Sequence, residues 1–99
     1  MDKDIKNRTF EFALKIIDVS ELLPPSNAVS TIARQLIRSG TSIGANVEEA
    51  TAASSKEDFA YRMNIALREA REAHYWLRII QARNIVSSNV LNSVLQESE

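Results

Sequence analysis

No cysteine occurs in this chain, so neither a disulfide framework nor a thiolate metal site can hold it together. It has one histidine, and no sustained apolar run of the length a transmembrane helix needs. The N-terminal Met1-Asp2-Lys3-Asp4 lacks the apolar core of a signal peptide, so the expected location is cytoplasmic, with no membrane partner. The net charge is −1, which leaves no global basic field to attract nucleic acid; any such contact has to come from a local patch. Glycine and proline are scarce as well: two of each in 99 residues. The chain is therefore one domain, ordinary in its 44% apolar and 25% charged composition, with few places to turn.

Where those few residues fall organises the chain. Pro24-Pro25 ends one helical pattern, because proline cannot continue a helix and restricts the residue before it. Upstream, Phe12, Ile16, Val19 and Leu23 recur at steps of four, three and four, with Phe10, Ala13 and Ile17 as a neighbouring stripe. This predicts a first helix over 4–23. Ser26 can cap a second, over 27–53, in which Val29, Ala33, Leu36, Gly40, Ile43, Val47 and Ala50 keep strict four-three spacing. Ser54 with Glu57, or Ser55 with Asp58, fits a capping box for a third helix over 56–83. Its seam is Phe59, Met63, Ala66, Ala70, Ala73, Leu77 and Ile80. Ser87 or Ser88 can start a short fourth helix, 88–98, carrying Val90, Leu91, Val94 and Leu95. The fold class expected is all-α, an antiparallel up-down-up-down four-helix bundle with short connections.

Glycine inside a helix costs about 1 kcal/mol against alanine, so two on one seam call for a reason. Close helix packing supplies one. If helices 2 and 3 pair about their turn, residues whose numbers sum to about 110 lie side by side. Gly40 and Gly44 then face Ala66 and Ala70, Glu48 and Glu49 come near Arg62, and Arg38 comes near Glu72. Arg38, Glu48, Glu49, Arg62, Glu69 and Glu72 are thus expected as polar pairs that set helix register.

Chemistry-bearing patterns are few. A di-metal bundle needs two Glu-x-x-His motifs, and His74 follows Glu72 by two and Glu69 by five. No metal site, cofactor site or catalytic residue is assigned, and no enzyme activity is expected. Arg68, Arg71, Tyr75 and Arg78 share one face of helix 3 and form a candidate nucleic-acid face, where guanidinium groups grip phosphate and the ring stacks a base. Glu72, beside Arg71 and four after Arg68, partly neutralises it. Ile65, Trp76 and Ile79 make a second apolar stripe on the same helix. One stripe suffices inside a short bundle, so the second suggests a further partner, helix 1, helix 4 or another subunit, and is a candidate oligomer interface.

The runs "QLIRSGTSIGANVEEA" (35–50) and "SKEDFAYRMNIALREAREAHYWLRII" (55–80) resemble the four-helix-bundle proteins encoded in intervening sequences of bacterial 23S ribosomal RNA genes. The likeness spans about Phe10 to Ile80. It implies a small cytoplasmic bundle assembled as a homopentamer, with no catalytic residues to carry over. The family is similar in fold to the accessory protein of diversity-generating retroelements, a basic pentamer that associates with a reverse transcriptase and its RNA. The positions shared with the family are Arg38, Ser39, Gly40, Ser42, Gly44, Asn46, Glu48, Glu49, Phe59, Glu69, Glu72, Tyr75, Trp76 and Leu77, expected as bundle and interface residues. Two departures stand out. Relatives usually continue into a longer, often lysine-bearing last helix, whereas this chain reads "QESE" to Glu99, and its net charge is slightly acidic. The functional expectation is a homo-oligomeric accessory factor associated with RNA or a nucleoprotein. The rival is a structural protein–protein interaction module with no nucleic-acid binding.

Overall fold

A computed structural model describes residues 3–86 and 89–98. Four helices run through them: α1 (Lys3–Glu21), α2 (Asn27–Thr51), α3 (Lys56–Ala82) and α4 (Asn89–Ser98). The 27 residues of α3, at 1.5 Å each, account for most of the 43 Å long axis. The starts follow cap chemistry. Ser26, extended at φ −168° and ψ 162°, accepts the Val29 N–H at 3.1 Å. Ser55, also extended, accepts the Asp58 N–H at 3.0 Å, which decides between the two candidate caps of α3. Ser87 and Ser88, the expected caps of α4, lie outside the described residues.

The end of α3 uses a device the composition hides. Asn84 takes φ 52°, the left-handed conformation usually given to glycine. The Ile85 N–H reaches Ile80 O at 3.1 Å, and the Asn84 N–H reaches Gln81 O at 3.1 Å. This paired closure satisfies carbonyls that the helix would otherwise leave open. Asparagine does the work of a C-terminal glycine, which is why both glycines can be spent inside α2.

One core joins all four helices. Phe12, Ile16 and Val19 enter it from α1, Leu36, Ile43 and Val47 from α2, Ala66, Ala73, Leu77 and Ile80 from α3, and Leu91, Val94 and Leu95 from α4. α2 packs on both α1 and α3, α4 bridges α1 and α3, and α1 and α3 do not approach one another directly. This is a four-helix bundle. Its last helix is short, so α4 covers only part of the gap between α1 and α3. Beyond it, Phe59 at the start of α3 stays 37% exposed although it lies on the seam.

The glycines correct the expected facing of α2. A Cβ built on Gly40 would lie 2.7 Å from Cγ1 and 2.9 Å from Cγ2 of Ile16; one on Gly44 would meet Thr9 at 3.3–3.4 Å. Both approaches come from α1, and not from Ala66 or Ala70 of α3. Ala66 is buried in the common core, and Ala70 packs on it beside Ile43. The heptad seam reports that a helix comes close without saying which of two neighbours it is. Lys6 of α1 likewise takes Glu48 at 3.4 Å, so Lys6, Thr9 and Ile16 meet Glu48, Gly44 and Gly40 in descending order along α2.

Candidate nucleic-acid interface

The small polar residues of "RSGTSIGAN" bond to their own helix. Ser39, fully buried, donates to Gln35 O at 2.8 Å; Thr41 donates to Ile37 O at 2.7 Å and Ser42 to Arg38 O at 2.6 Å, while Asn46 Nδ2 donates to Ser42 O at 2.9 Å. Among the described residues no buried side-chain nitrogen or oxygen is left without a partner, since these hydroxyls and the Asn46 amide find carbonyls one turn back.

Across α2 and α3 a polar cluster forms around Arg38. Its Nη1 donates to Glu69 Oε2 at 2.8 Å, its Nη2 donates to Glu72 Oε2, and its Nε donates to Gln35 Oε1 at 3.2 Å. Trp76 Nε1 donates to the same Glu72 oxygen at 3.0 Å. The indole N–H first, and then the guanidinium, hold the Glu72 carboxyl below the usual carboxylate range. Arg38 is pushed up in turn, chiefly by its hydrogen bond to Glu72. Arg38 and Glu72 thus meet as the register required, with Glu69 joining them. The other expected pair does not form. Glu48 turns to α1, Glu49 has no ion pair among the described residues, and the Arg62 guanidinium lies 5.6 Å from the centre of the Tyr61 ring. The physical reason is angular: Glu48 lies on the side of α2 that faces α1, with Gly44.

That cluster has a consequence for the arginine stripe. Glu69 and Glu72, the acids that would screen Arg68 and Arg71, are drawn around α3 onto Arg38. Among the described residues the ion pairs are Lys6–Glu48, Arg8–Glu97 and the two of Arg38. Arg68, Arg71 and Arg78 are exposed and have no carboxylate partner there. Tyr75 stands among them, 54% exposed, its ring edge-on to Trp76 with centroids 5.2 Å apart. Arg71, Tyr75 and Arg78 line one open groove with Leu67, Ala70, His74 and Ser98, whereas Arg68 lies outside it.

His74 and Ser98 belong to this groove by tertiary contact alone. His74 Nδ1 is 2.7 Å from Ser98 Oγ, across 24 residues of sequence, and Ser98 Oγ donates to Leu95 O at 2.7 Å. A lone histidine on a polar helix face carried no local signal of this partner. Among the described residues, no three His, Cys, Asp or Glu side chains gather as a metal site.

The second apolar stripe is only half open. Ile65, Trp76 and Ile79 are partly buried, and Trp76 packs on the core while its N–H is satisfied by Glu72. More apolar surface lies on α1, where Phe10 is 61% exposed, with Leu14 and Ile17 beside it, and on α2 at Ile37. The Phe10–Ala13–Ile17 stripe was visible in the sequence as a second face of helix 1; nothing in it indicated that no other helix covers it. No described helix is long and apolar enough to cross a membrane.

The family model described as 23S rRNA-intervening sequence protein matches residues 1–99, and the chain belongs to that family. No curated protein matches it. Among solved structures it is similar to a Bacteroides thetaiotaomicron VPI-5482 protein described as of unknown function and from the S23 ribosomal protein family. The two share 36% identity and superpose with a TM-score of 0.86, over 95% of this chain and 87% of the other.

Proposed function

We propose that this member of the 23S rRNA-intervening sequence protein family is a non-enzymatic, homo-oligomeric bundle that associates with RNA or a nucleoprotein through the arginine face of α3. The observation that carries the reading is the division of charge on that helix. Its acids Glu69 and Glu72 are engaged by Arg38 on one side, which leaves Arg68, Arg71 and Arg78 unscreened around an exposed Tyr75 on the other. Unpaired guanidinium groups around an aromatic ring suit a phosphate backbone and a stacked base. A chain of net charge −1 then binds by its local patch, and not by its overall field.

Self-association rests on the two apolar regions. Phe10, Leu14 and Ile17 lie on α1, and Ile65, Trp76 and Ile79 on α3, two helices whose backbones do not come close to each other within the bundle. Contact between unlike faces of successive copies is head-to-tail, and it makes a ring when the rotation from copy to copy closes. Five copies, cytoplasmic, is the assembly that the family resemblance implies. The same exposed apolar residues favour the second reading, a module that docks another protein without nucleic acid.

Light scattering with a structured RNA across a salt series tests the proposal. Three phosphate contacts give a log–log salt slope of about −2 to −3. Arg68→Ala, Arg71→Ala and Arg78→Ala together should remove that slope while the oligomer mass stays. A stable oligomer indifferent to RNA at low salt selects the protein-docking reading. A monomer under all conditions removes the assembly claim.

A further inference from the structure

The groove where the end of α4 meets α3 places a titratable side chain between two of the unpaired arginines. His74 stands three residues after Arg71 and four before Arg78, so the three are neighbours on one helical face. Its hydrogen bond defines which nitrogen is free. Ser98 Oγ has one proton and gives it to Leu95 O at 2.7 Å, so toward His74 it accepts. With the hydroxyl proton on Leu95 O, the consistent assignment for the neutral imidazole is a proton on Nδ1 and an open lone pair on Nε2. Protonation adds a donor and a positive charge at Nε2 without breaking the bond that ties α3 to α4.

We propose that this groove is a phosphate-seating subsite, with Arg71 and Arg78 as fixed cations and His74 as a third cation present only when protonated. The inference rests on the nucleic-acid reading above and deepens it. Among the described residues, the charged groups that line the groove with His74 are Arg71 and Arg78 on α3, with Tyr75 beside them; the acid of α4, Glu97, lies outside the groove and is held by Arg8 of α1 at 3.3 Å. A bound phosphate favours the charged form of an imidazole seated between two guanidinium groups. Phosphate binding and proton uptake at His74 are then linked, each strengthening the other. Ser98 also anchors the imidazole, so the ring is held in the groove before a ligand arrives.

The probe is an oligouridylate with hydroxyl ends, whose phosphodiesters keep their charge between pH 5.5 and 8. Its affinity is measured by fluorescence anisotropy across a salt series at both values. The full chain should bind several-fold more tightly at pH 5.5, with a salt slope steeper by about 0.7, the increment for one added contact on a single strand. His74→Asn should bring the two slopes together, while Ser98→Ala, which removes the anchor but retains the imidazole, should keep them apart with weaker binding at pH 5.5. Circular dichroism at both pH values confirms that each variant is folded. Binding that is present but independent of pH, or a pH effect that survives in His74→Asn, overturns the subsite and leaves the arginine face standing. No binding at either pH at low salt overturns both.

Discussion

Gly40→Ala and Gly44→Ala should move stability in opposite directions, although both exchange glycine for the best helix former on one seam. Each gains up to about 1 kcal/mol of intrinsic helix propensity. At Gly44 the new Cβ would touch Thr9 at 3.3–3.4 Å, tight but near ordinary contact, so most of that gain survives. At Gly40 it would sit 2.7 and 2.9 Å from the two γ carbons of Ile16, distances that real Cβ atoms do not hold. Ile16 is fully buried and branched at Cβ, so it cannot swing aside as a long flexible side chain would. Overpacking a core costs about 1–3 kcal/mol, so Gly40→Ala is expected to destabilise by about 0–2 kcal/mol net. Urea unfolding followed by circular dichroism reads the difference, with unchanged m-values as the check on two-state behaviour. Ile16→Ala removes both offending carbons. A double-mutant cycle should therefore show a favourable coupling of about 1–2 kcal/mol between positions 16 and 40, and none between 16 and 44. If Gly40→Ala is as stable as Gly44→Ala, or the coupling is absent, the close approach of α1 is not the reason for glycine at 40.

Glu72→Gln should lower stability at neutral pH and alter the fluorescence of the single tryptophan, because Trp76 exchanges a charged acceptor for a neutral one. The folded carboxyl lies below its usual value near 4.5, so its contribution is complete above that value and is lost as pH falls through the lower, folded one. The wild-type and Glu72→Gln melting curves should therefore converge in acid. With side chains 48% and 34% exposed, the Arg38–Glu72 pair is worth about 1 kcal/mol or less. Phe10→Ser with Ile17→Ser should reduce the mass seen by light scattering at little cost to the fold, since both side chains face outward; an unchanged mass would move the interface off α1. Ser55→Ala should cost about 1 kcal/mol through loss of the α3 cap, read by thermal melting; an unchanged melting temperature would mean that packing alone fixes the start of α3.

What the sequence determined by itself was local and periodic. Adjacent prolines, capping serines and four-three seams define where each helix runs and which stripe it buries, because these depend on residues within a turn or two of one another. The Arg38–Glu72 contact was legible for the same reason, as one short turn sets the register of the two long helices. The tertiary structure decided what passes between elements. α2 has two neighbours, and only their placement shows that Gly40 and Gly44 admit α1, that Glu48 turns to Lys6 and not to Arg62, and that Phe10 is left uncovered. It also draws Glu72 off the arginine stripe and brings Ser98 to His74. A heptad records that a face is buried or polar; which side chain reaches across to it depends on the rotation of one helix about another, and no spacing along the chain encodes that angle.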